Sequence, residues 1–223
     1  MHTPSPQHPG AFNWFLIAAL GVIWGAAFMG VSVALQGFGP WTVTAARVAL
    51  GALVLAGAGS AMGQPIWRLG GVRPWVFAGL IGIEAVALPF ALLSWGQQYV
   101  PSAFAGISMA ALPLFVLPLS HVFTDEKMTV RKLMGVCLGF TGAIVLIGPG
   151  VLQLGQGLEP LGQIACLAAS ASYAISAIMT RRCPPIDSIT MAALTLVVGA
   201  AALIPAMLLI EGVPGWTDTR TGV

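Results

Sequence analysis

The sequence predicts an all-α protein: a polytopic bundle of about seven transmembrane helices, arranged as an inverted five-helix repeat whose second half is incomplete. Hydrophobic residues fill 57% of the 223 positions and charged residues only 7%, against roughly 25% charged residues in an ordinary soluble domain. The mean hydropathy is +0.91. So few charges cannot cover a water-facing surface, and the outside of the bundle is therefore expected to face lipid.

Long uncharged stretches define the elements. A hydrocarbon core about 30 Å thick requires ~20 apolar residues in a helix, and turn residues divide the longer stretches. Gly39 and Pro40 end the first stretch, and Gln97 to Pro101 separate the third from the fourth. The predicted helices run approximately from Phe12 to Leu35, Trp41 to Met62, Pro74 to Trp95, Ser102 to Phe123, Lys132 to Ile147, Leu161 to Thr180 and Ser188 to Ile210.

Each segment is expected to be helical because backbone amides cannot stay unpaired in lipid. None of the segments shows the alternating pattern of a membrane-barrel strand. Residues 1 to 46 contain no Lys or Arg, whereas a signal peptide begins with a basic region. The first segment is therefore interpreted as a retained membrane helix.

Basic residues occur in every second connector, and short loops rich in Lys and Arg stay on the cytoplasmic side of a membrane. The connectors after the first, third and fifth segments contain none. This pattern predicts a multi-pass protein of the inner (cytoplasmic) membrane with a cytoplasmic N-terminus. The basic residues of the other connectors are Arg68, Arg73, Lys127, Arg131, Lys132, Arg181 and Arg182.

Several classes of function find no support in the sequence. The net charge of +2 is spread over the loops, so the clustered basic stripe of a nucleic-acid-binding protein is missing. Cys137, Cys166 and Cys183 lack metal-ligand spacing, and no metal site or cofactor is predicted. Motifs for phosphate loops, dinucleotide binding or intramembrane catalysis are absent as well, so we predict no enzyme and name no catalytic residue.

Small residues and prolines predict how the helices meet and bend. Gly21 and Gly25, like Gly135 and Gly139, have the spacing that permits close helix contact in lipid. Prolines within helices free backbone carbonyls and kink the helix, and such broken helices are common in transporters. The predicted mid-helix prolines are Pro89, Pro113, Pro118 and Pro205.

A weak internal repeat appears when residues 14 to 62 are laid over residues 163 to 211. Trp24-Gly25 then meets Tyr173-Ala174. If one unit has five helices, an odd number, the second unit enters the membrane upside down. The predicted organisation is a cytoplasmic tail (1–11), a five-helix unit (12–149), a partial second unit (158–211) and a polar tail (212–223).

Short signatures in a fixed order connect the chain with a known family. They are Trp24-Gly25-Ala26-Ala27-Phe28, Arg47 within Thr44-Ala45-Ala46-Arg47, Pro113, the loop Asp125-Glu126-Lys127-Met128-Thr129, and Gly135 with Gly139 to Gly142. In this order the chain resembles, over nearly its whole length, the EamA-type branch of the drug/metabolite transporter superfamily.

The resemblance implies a membrane transporter. Members have ten helices in two five-helix repeats with both termini cytoplasmic, and they move small metabolites, amino acids or drug-like compounds, often by proton-coupled exchange. The seven helices predicted here leave the second repeat short of three. We therefore expect a secondary-active permease coupled to an ion gradient, with a truncated or non-transporting membrane subunit of such a carrier as the alternative.

Arg47 and Glu84 are the two charged residues deep within the predicted helices, where a charge costs about 2.5–3.5 kcal/mol on insertion scales. Counted along the helices at 1.5 Å per residue, their depths differ by only ~6 Å. We predict that both face a shared polar cavity and that Glu84 binds the coupling proton. The alternative is that Arg47 reaches the interface and Glu84 is a protonated donor to a neighbouring helix.

Trp24 and Pro113 complete the predicted pathway residues. Trp24 belongs to the signature of the first segment, and its ring is a candidate lining for a substrate path; Pro113 matches the family's proline in the fourth segment. The expected partners are a small-molecule substrate, the lipid bilayer and, as a candidate, a second copy of the chain in a homodimer.

Overall fold

The computed structural model describes residues 10–124, 126–151 and 157–213, and within those ranges the chain consists of seven long helices and no strands. The helices are α1 (Ala11–Ala34), α2 (Pro40–Ala61), α3 (Val72–Gly96), α4 (Ser102–Phe123), α5 (Val130–Val151), α6 (Glu159–Arg182) and α7 (Ser188–Ile210). One turn of 3₁₀-helix, Ile66–Arg68, lies in the connector between α2 and α3.

Six of the seven helices in the described ranges begin and end within two residues of the predicted bounds. The exception is α5, which was predicted to end at Ile147 but stays helical through Gly148, Pro149 and Gly150 to Val151, because glycine and proline are tolerated within membrane helices. Gly39 and Pro40 start α2, with the proline in the first helical turn where its missing N–H costs nothing. Asp187 caps α7 by accepting a hydrogen bond from the Thr190 amide at 2.8 Å. The all-helical membrane fold predicted from composition is thereby confirmed.

Six of the helices in the described part are long and apolar enough to cross a membrane. Those six are α1, α2, α3, α4, α6 and α7; the prediction of about seven spans is therefore close. The remaining helix, α5, has 22 residues and carries Arg131 and Lys132 in its first turn. The tails at 1–9 and 214–223, and Asp125 of the predicted acidic loop, lie outside the described residues.

The core is built around α6 and α7. Helix α7 packs along α2 and against the middle of α3, where Val48, Val86 and Leu203 belong to one buried apolar cluster. A second cluster joins α3, α4 and α6 through Leu93, Ala105 and other residues. Only Val31 of α1 is buried, so the first helix lies at the edge of the described bundle.

Glycines allow backbones to touch at two crossings. A Cβ placed on Gly96 of α3 would lie 2.8 Å from the Gly162 carbonyl oxygen of α6, and one on Gly82 would lie 2.9 Å from the Thr195 carbonyl of α7. Small residues at such positions permit the close approach on which helix association in lipid depends. Gly21, one residue of the predicted Gly-xxx-Gly pairs, has nothing within 4 Å of such a Cβ.

Three basic connectors meet at one end of the bundle. Arg181 at the end of α6 is 3.0 Å from Glu126, which follows α4. The Thr190 hydroxyl at the start of α7 lies 3.4 Å from the Gln64 carbonyl, which follows α2. We call this the basic end. The connectors between α1 and α2 and between α3 and α4, which contain no Lys or Arg, join the opposite ends of those helices.

Candidate functional site

Glu84 lies where α3 changes its hydrogen-bond register. Residues Ile83–Ala87 form a π-helical turn between two α-helical stretches, and the Leu88 amide bonds to the Ile83 carbonyl, five residues back, instead of to Glu84. The next residue, Pro89, has no N–H to offer. The Glu84 carbonyl has therefore lost its helical donor, and π-turns of this kind occur frequently at functional sites.

A serine of α6 meets both oxygens of Glu84. The Ser172 hydroxyl oxygen lies 2.7 Å from the Glu84 carbonyl oxygen and 2.8 Å from the carboxyl Oε2. Ser172 is buried, and Glu84 is half-buried. A hydroxyl has one proton and can accept others, so it makes two full hydrogen bonds only if it donates to the carbonyl and accepts from a protonated carboxyl.

Within the described ranges, no Lys or Arg lies within ion-pair distance of Glu84. Its polar contact is the neutral hydroxyl of Ser172.

Arg47 projects from α2 toward aromatic residues of two other helices. Its guanidinium carbon lies 4.8 Å from the ring centroid of Phe90 on α3, a cation–π distance. It is also within electrostatic range of the Tyr173 hydroxyl on α6. The Arg47 side chain is otherwise exposed, and among the described residues no carboxylate pairs with it.

Consecutive residues of α6 connect the two predicted charges. Ser172 contacts Glu84, and Tyr173, next along the chain, lies near Arg47. Phe90, whose ring is in cation–π contact with the Arg47 guanidinium, lies on the same helix as Glu84. The two charged residues thus flank the same part of α3 and α6 without forming an ion pair.

Pro113 and Trp24 have different surroundings. Pro113 follows a turn of 3₁₀-helix, Met109–Ala111, that interrupts α4. Trp24 lies on α1 with 58% of its surface exposed, so the described bundle does not enclose it. The contact between α1 and α4 is made by Phe28, whose ring is 3.7 Å from a Cβ built on Gly106.

Sequence reasoning did not identify Ser172, Tyr173 or Phe90 as site residues. Ser172 is one of three serines in α6, and a serine within a helix carries no signal of its own, because most such hydroxyls bond to their own helix. Tyr173 did carry one: the repeat overlay places it opposite Trp24, the aromatic residue of the first signature.

A second carboxylate, Glu211, closes the end of the bundle opposite the basic end. It follows α7 and accepts hydrogen bonds from the Trp41 amide at 2.9 Å and from the Thr42 amide and hydroxyl, both at 2.8 Å. The N-cap residue of α2, Gly39, has no side chain to do this. Glu211 therefore caps α2 from another helix.

Among the described residues, no group of three or more His, Cys, Asp or Glu side chains is placed to hold a metal ion. A cleft of about 390 Å³ opens at the basic end, between the last turns of α4 and α6. Phe123, Arg181 and Arg182 are among its lining residues. It is separate from the contacts of Arg47 and Glu84.

The sequence of residues 12–148 matches the EamA-like transporter family. An uncharacterized transporter of Bacillus subtilis (strain 168), YoaV, is 32% identical over 129 residues, which are 56% of this chain and 44% of the relative. The uncharacterized inner membrane transporter YedA of Escherichia coli (strain K12) is 27% identical over 194 residues, 85% of this chain and 60% of the relative.

The chain is also similar in sequence to an exporter and in fold to a solved structure. A probable terminal-alkyne amino-acid exporter of Streptantibioticus cattleyicolor is 29% identical over 137 residues, 61% of this chain and 45% of the exporter. One solved protein structure has a TM-score of 0.57 at 23% identity, covering 85% of this chain and 64% of that one, which supports the fold. The chain thus spans about half the length of the curated relatives it matches.

Proposed function

The chain belongs to the EamA-like transporter family, and from that premise we propose that it is a secondary-active permease for small molecules in which Glu84 binds the coupling proton. Its relatives are named as transporters and exporters rather than enzymes. No nucleotide-binding motif occurs in the sequence, so an ion gradient is the energy source proposed for uphill movement.

The observation that carries the proposal is the contact between Glu84 and Ser172. The hydroxyl lies within hydrogen-bond distance of both Glu84 oxygens, and both contacts become full hydrogen bonds when the carboxyl is protonated. Loss of the proton leaves one hydroxyl proton shared between two acceptors. Protonation therefore changes how tightly α3 is held to α6, which is the property a coupling site needs.

Arg47 is proposed as the contact for the substrate. Its guanidinium rests on the Phe90 ring and has no acidic partner in the described ranges, so its hydrogen-bond donors remain free for a carboxylate. Solutes bearing a carboxylate, such as amino acids, are therefore the first substrate class to test. The amino-acid exporter among the relatives supports the same choice.

The experiment is transport by the purified chain in proteoliposomes. A panel of tritiated amino acids is supplied with and without a pH gradient, and a trapped pH dye follows proton movement. We expect gradient-dependent movement of at least one amino acid together with protons. Glu84→Gln should transport without pH dependence, while Glu159→Gln, which alters an exposed carboxylate at the start of α6, should behave as the wild type.

Two results would count against the proposal. Unchanged pH dependence in Glu84→Gln would remove Glu84 from proton coupling. Absence of any transport by the wild-type chain would favour the second candidate, a truncated or non-transporting membrane subunit of such a carrier.

A further inference from the structure

Helices α3 and α4 are interrupted in a closely similar way. In each, an amide turns away from the carbonyl that it would reach in an α-helix, and a proline follows at once. In α3 the Leu88 amide bonds to Ile83, and Pro89 follows. In α4 the Leu112 amide bonds to Met109, and Pro113 follows. The carbonyls that the Leu88 and Leu112 amides no longer reach belong to the residues five positions before the prolines, Glu84 and Ser108.

Two serines of α6 donate to these two carbonyls. The Ser172 hydroxyl is 2.7 Å from the Glu84 carbonyl oxygen, and the Ser170 hydroxyl is 2.8 Å from the Ser108 carbonyl oxygen. Both serines are buried, with 3% and 0% of their surface exposed, respectively. Each hydroxyl thus supplies, from another helix, a hydrogen bond that the broken helix no longer makes for itself.

These contacts differ from the ordinary behaviour of hydroxyls within helices, which bond to carbonyls of their own helix. Two other hydroxyls of α6 do that: Ser176 donates to Tyr173 and Thr180 donates to Ser176, each at 2.8 Å. Ser170 and Ser172 instead reach across to neighbouring helices. The difference lies in what faces them, because an available carbonyl lies opposite each.

The positions of the two serines place both breaks at one level. Residues two apart on a helix differ by about 3 Å in height and by about 200° in direction, so α6 can contact α3 on one side and α4 on the other. Both serines lie near the middle of the 24-residue α6. Transporters commonly form their substrate and ion sites from discontinuous helices near the midplane of the membrane.

We propose that Ser170 and Ser172 are positioning residues that fasten the breaks of α4 and α3 to α6, forming a pair of hinges about which the halves of those helices turn during transport. Ser172 also contacts the Glu84 carboxyl, so proton binding acts directly on one hinge. The hinge role rests on the proposed transport function. The attachment of the two breaks to α6 by the hydrogen bonds of Ser170 and Ser172, here called the fastening, is a property of the folded chain.

Carbonyl-specific solid-state NMR on the protein in lipid tests the fastening without any substrate. Glu-Ala occurs in the sequence only at residues 84–85 and Ser-Met only at residues 108–109. Carbonyl-¹³C Glu with ¹⁵N Ala therefore selects the Glu84 carbonyl, and carbonyl-¹³C Ser with ¹⁵N Met selects the Ser108 carbonyl. Loss of a hydrogen bond moves a carbonyl ¹³C signal to lower frequency.

The expected result is a crossed pattern. Ser172→Ala moves the Glu84 signal and leaves the Ser108 signal in place, and Ser170→Ala does the reverse. Ser176→Ala, the matched control on the same helix, moves neither, since its hydroxyl bonds within α6. If an alanine variant does not fold, the cysteine variant keeps the side-chain volume with only a weak donor and is expected to move the same signal in the same direction.

Transport rates of the same variants test the hinge role separately from the fastening. With the amino acid that the wild type moves, each alanine variant should lower the maximal rate roughly fivefold, the equivalent of one ordinary hydrogen bond, and leave the half-saturating concentration unchanged. Carbonyl signals that stay in place in Ser170→Ala and Ser172→Ala would overturn the fastening; moved signals with wild-type rates would overturn the hinges. If the wild type moves no amino acid, the proposed function is contradicted. The NMR result then still shows whether the two serines hydrogen-bond to the carbonyls of the breaks.

Discussion

At the scale of single residues, several polar groups of the described bundle form hydrogen bonds from one helix to another. Glu211 caps α2, and Ser172 binds the turn that contains Glu84. In lipid an unpaired backbone group costs several kcal/mol, so one carboxylate or hydroxyl placed at a helix end or break has a large effect. These residues are therefore where single substitutions should be most informative.

The cap on α2 gives a prediction about stability. In Glu211→Gln the side chain keeps one acceptor oxygen and loses the charge that favours a helix N-terminus, so the free energy of unfolding should fall by about 1 kcal/mol. Thermal unfolding in detergent measures this. Gly39→Ala should weaken the same cap by another route, because its Cβ would meet the Glu211 carboxylate. Equal stability of both variants and the wild type would show that the cap contributes nothing.

The sequence could identify Arg47 and Glu84 because a charge in an apolar helix stands out on its own. It could not identify their surroundings. Whether Ser172 faces Glu84 depends on the π-turn at Ile83–Ala87, which rotates the preceding part of α3 relative to the rest. Such a turn depends on tertiary contacts, and neither composition nor periodicity encodes it.

At the scale of elements, prolines and glycines decide how the helices bend and meet. Four prolines are predicted within three of the spans, and at only two of them does α6 supply a hydrogen-bond donor to a freed carbonyl. Pro118 and Pro205 lie inside continuous α-helix, whereas Pro89 and Pro113 follow breaks whose carbonyls bond to α6. A break forms where another helix can satisfy the carbonyl, and the sequence of the broken helix alone cannot show this.

The crossing of α3 and α6 gives a prediction about packing. Gly162→Ala places a Cβ 3.0 Å from the Gly96 carbonyl oxygen, and such overpacking typically costs 1–3 kcal/mol, so we expect a loss of roughly that size. Gly21→Ala is the matched control, since its Cβ meets open space and alanine favours a helix over glycine by about 1 kcal/mol. A Gly162→Ala protein as stable as Gly21→Ala would contradict the close crossing.

The loop after α4 gives a prediction about pH. Hydrogen bonds from Lys132 and Arg181 hold the pKa of Glu126 below the ordinary value for a glutamate, with distances of 2.5 and 3.0 Å. Because the folded-state pKa is depressed, the stabilisation is present above the ordinary pKa and is lost as the pH falls through the lowered one. A carboxyl ¹³C titration of the folded protein should give this lowered value.

Arg181→Gln should move the pKa of Glu126 part of the way back, and added salt should do the same, since the pair is partly exposed and surface ion pairs are screened. An ordinary glutamate pKa in the wild type, insensitive to both changes, would show that the loop and α6 are not joined in this way.

At the scale of the whole molecule, the sequence predicts the architecture well because lipid restricts the alternatives. Apolar length and turn residues were sufficient for the bounds of six helices, whereas α5 continues through residues 148–150, where a Gly-Pro-Gly turn was expected to end it. The order of packing was not predictable: the pairing of α2 with α7 and the central place of α6 depend on small-residue contacts such as Gly96 with Gly162. Those contacts join positions far apart in the sequence.

The most direct test of the account is the side of the membrane on which the connectors lie. Single cysteines are introduced as Arg68→Cys, Arg181→Cys or Gln98→Cys in a chain whose own three cysteines are replaced, and intact cells are treated with a membrane-impermeant maleimide. If the basic end is cytoplasmic, Gln98→Cys is labelled in intact cells and Arg68→Cys and Arg181→Cys only after the membrane is opened. Labelling of Arg68→Cys and Arg181→Cys from opposite faces would contradict the account.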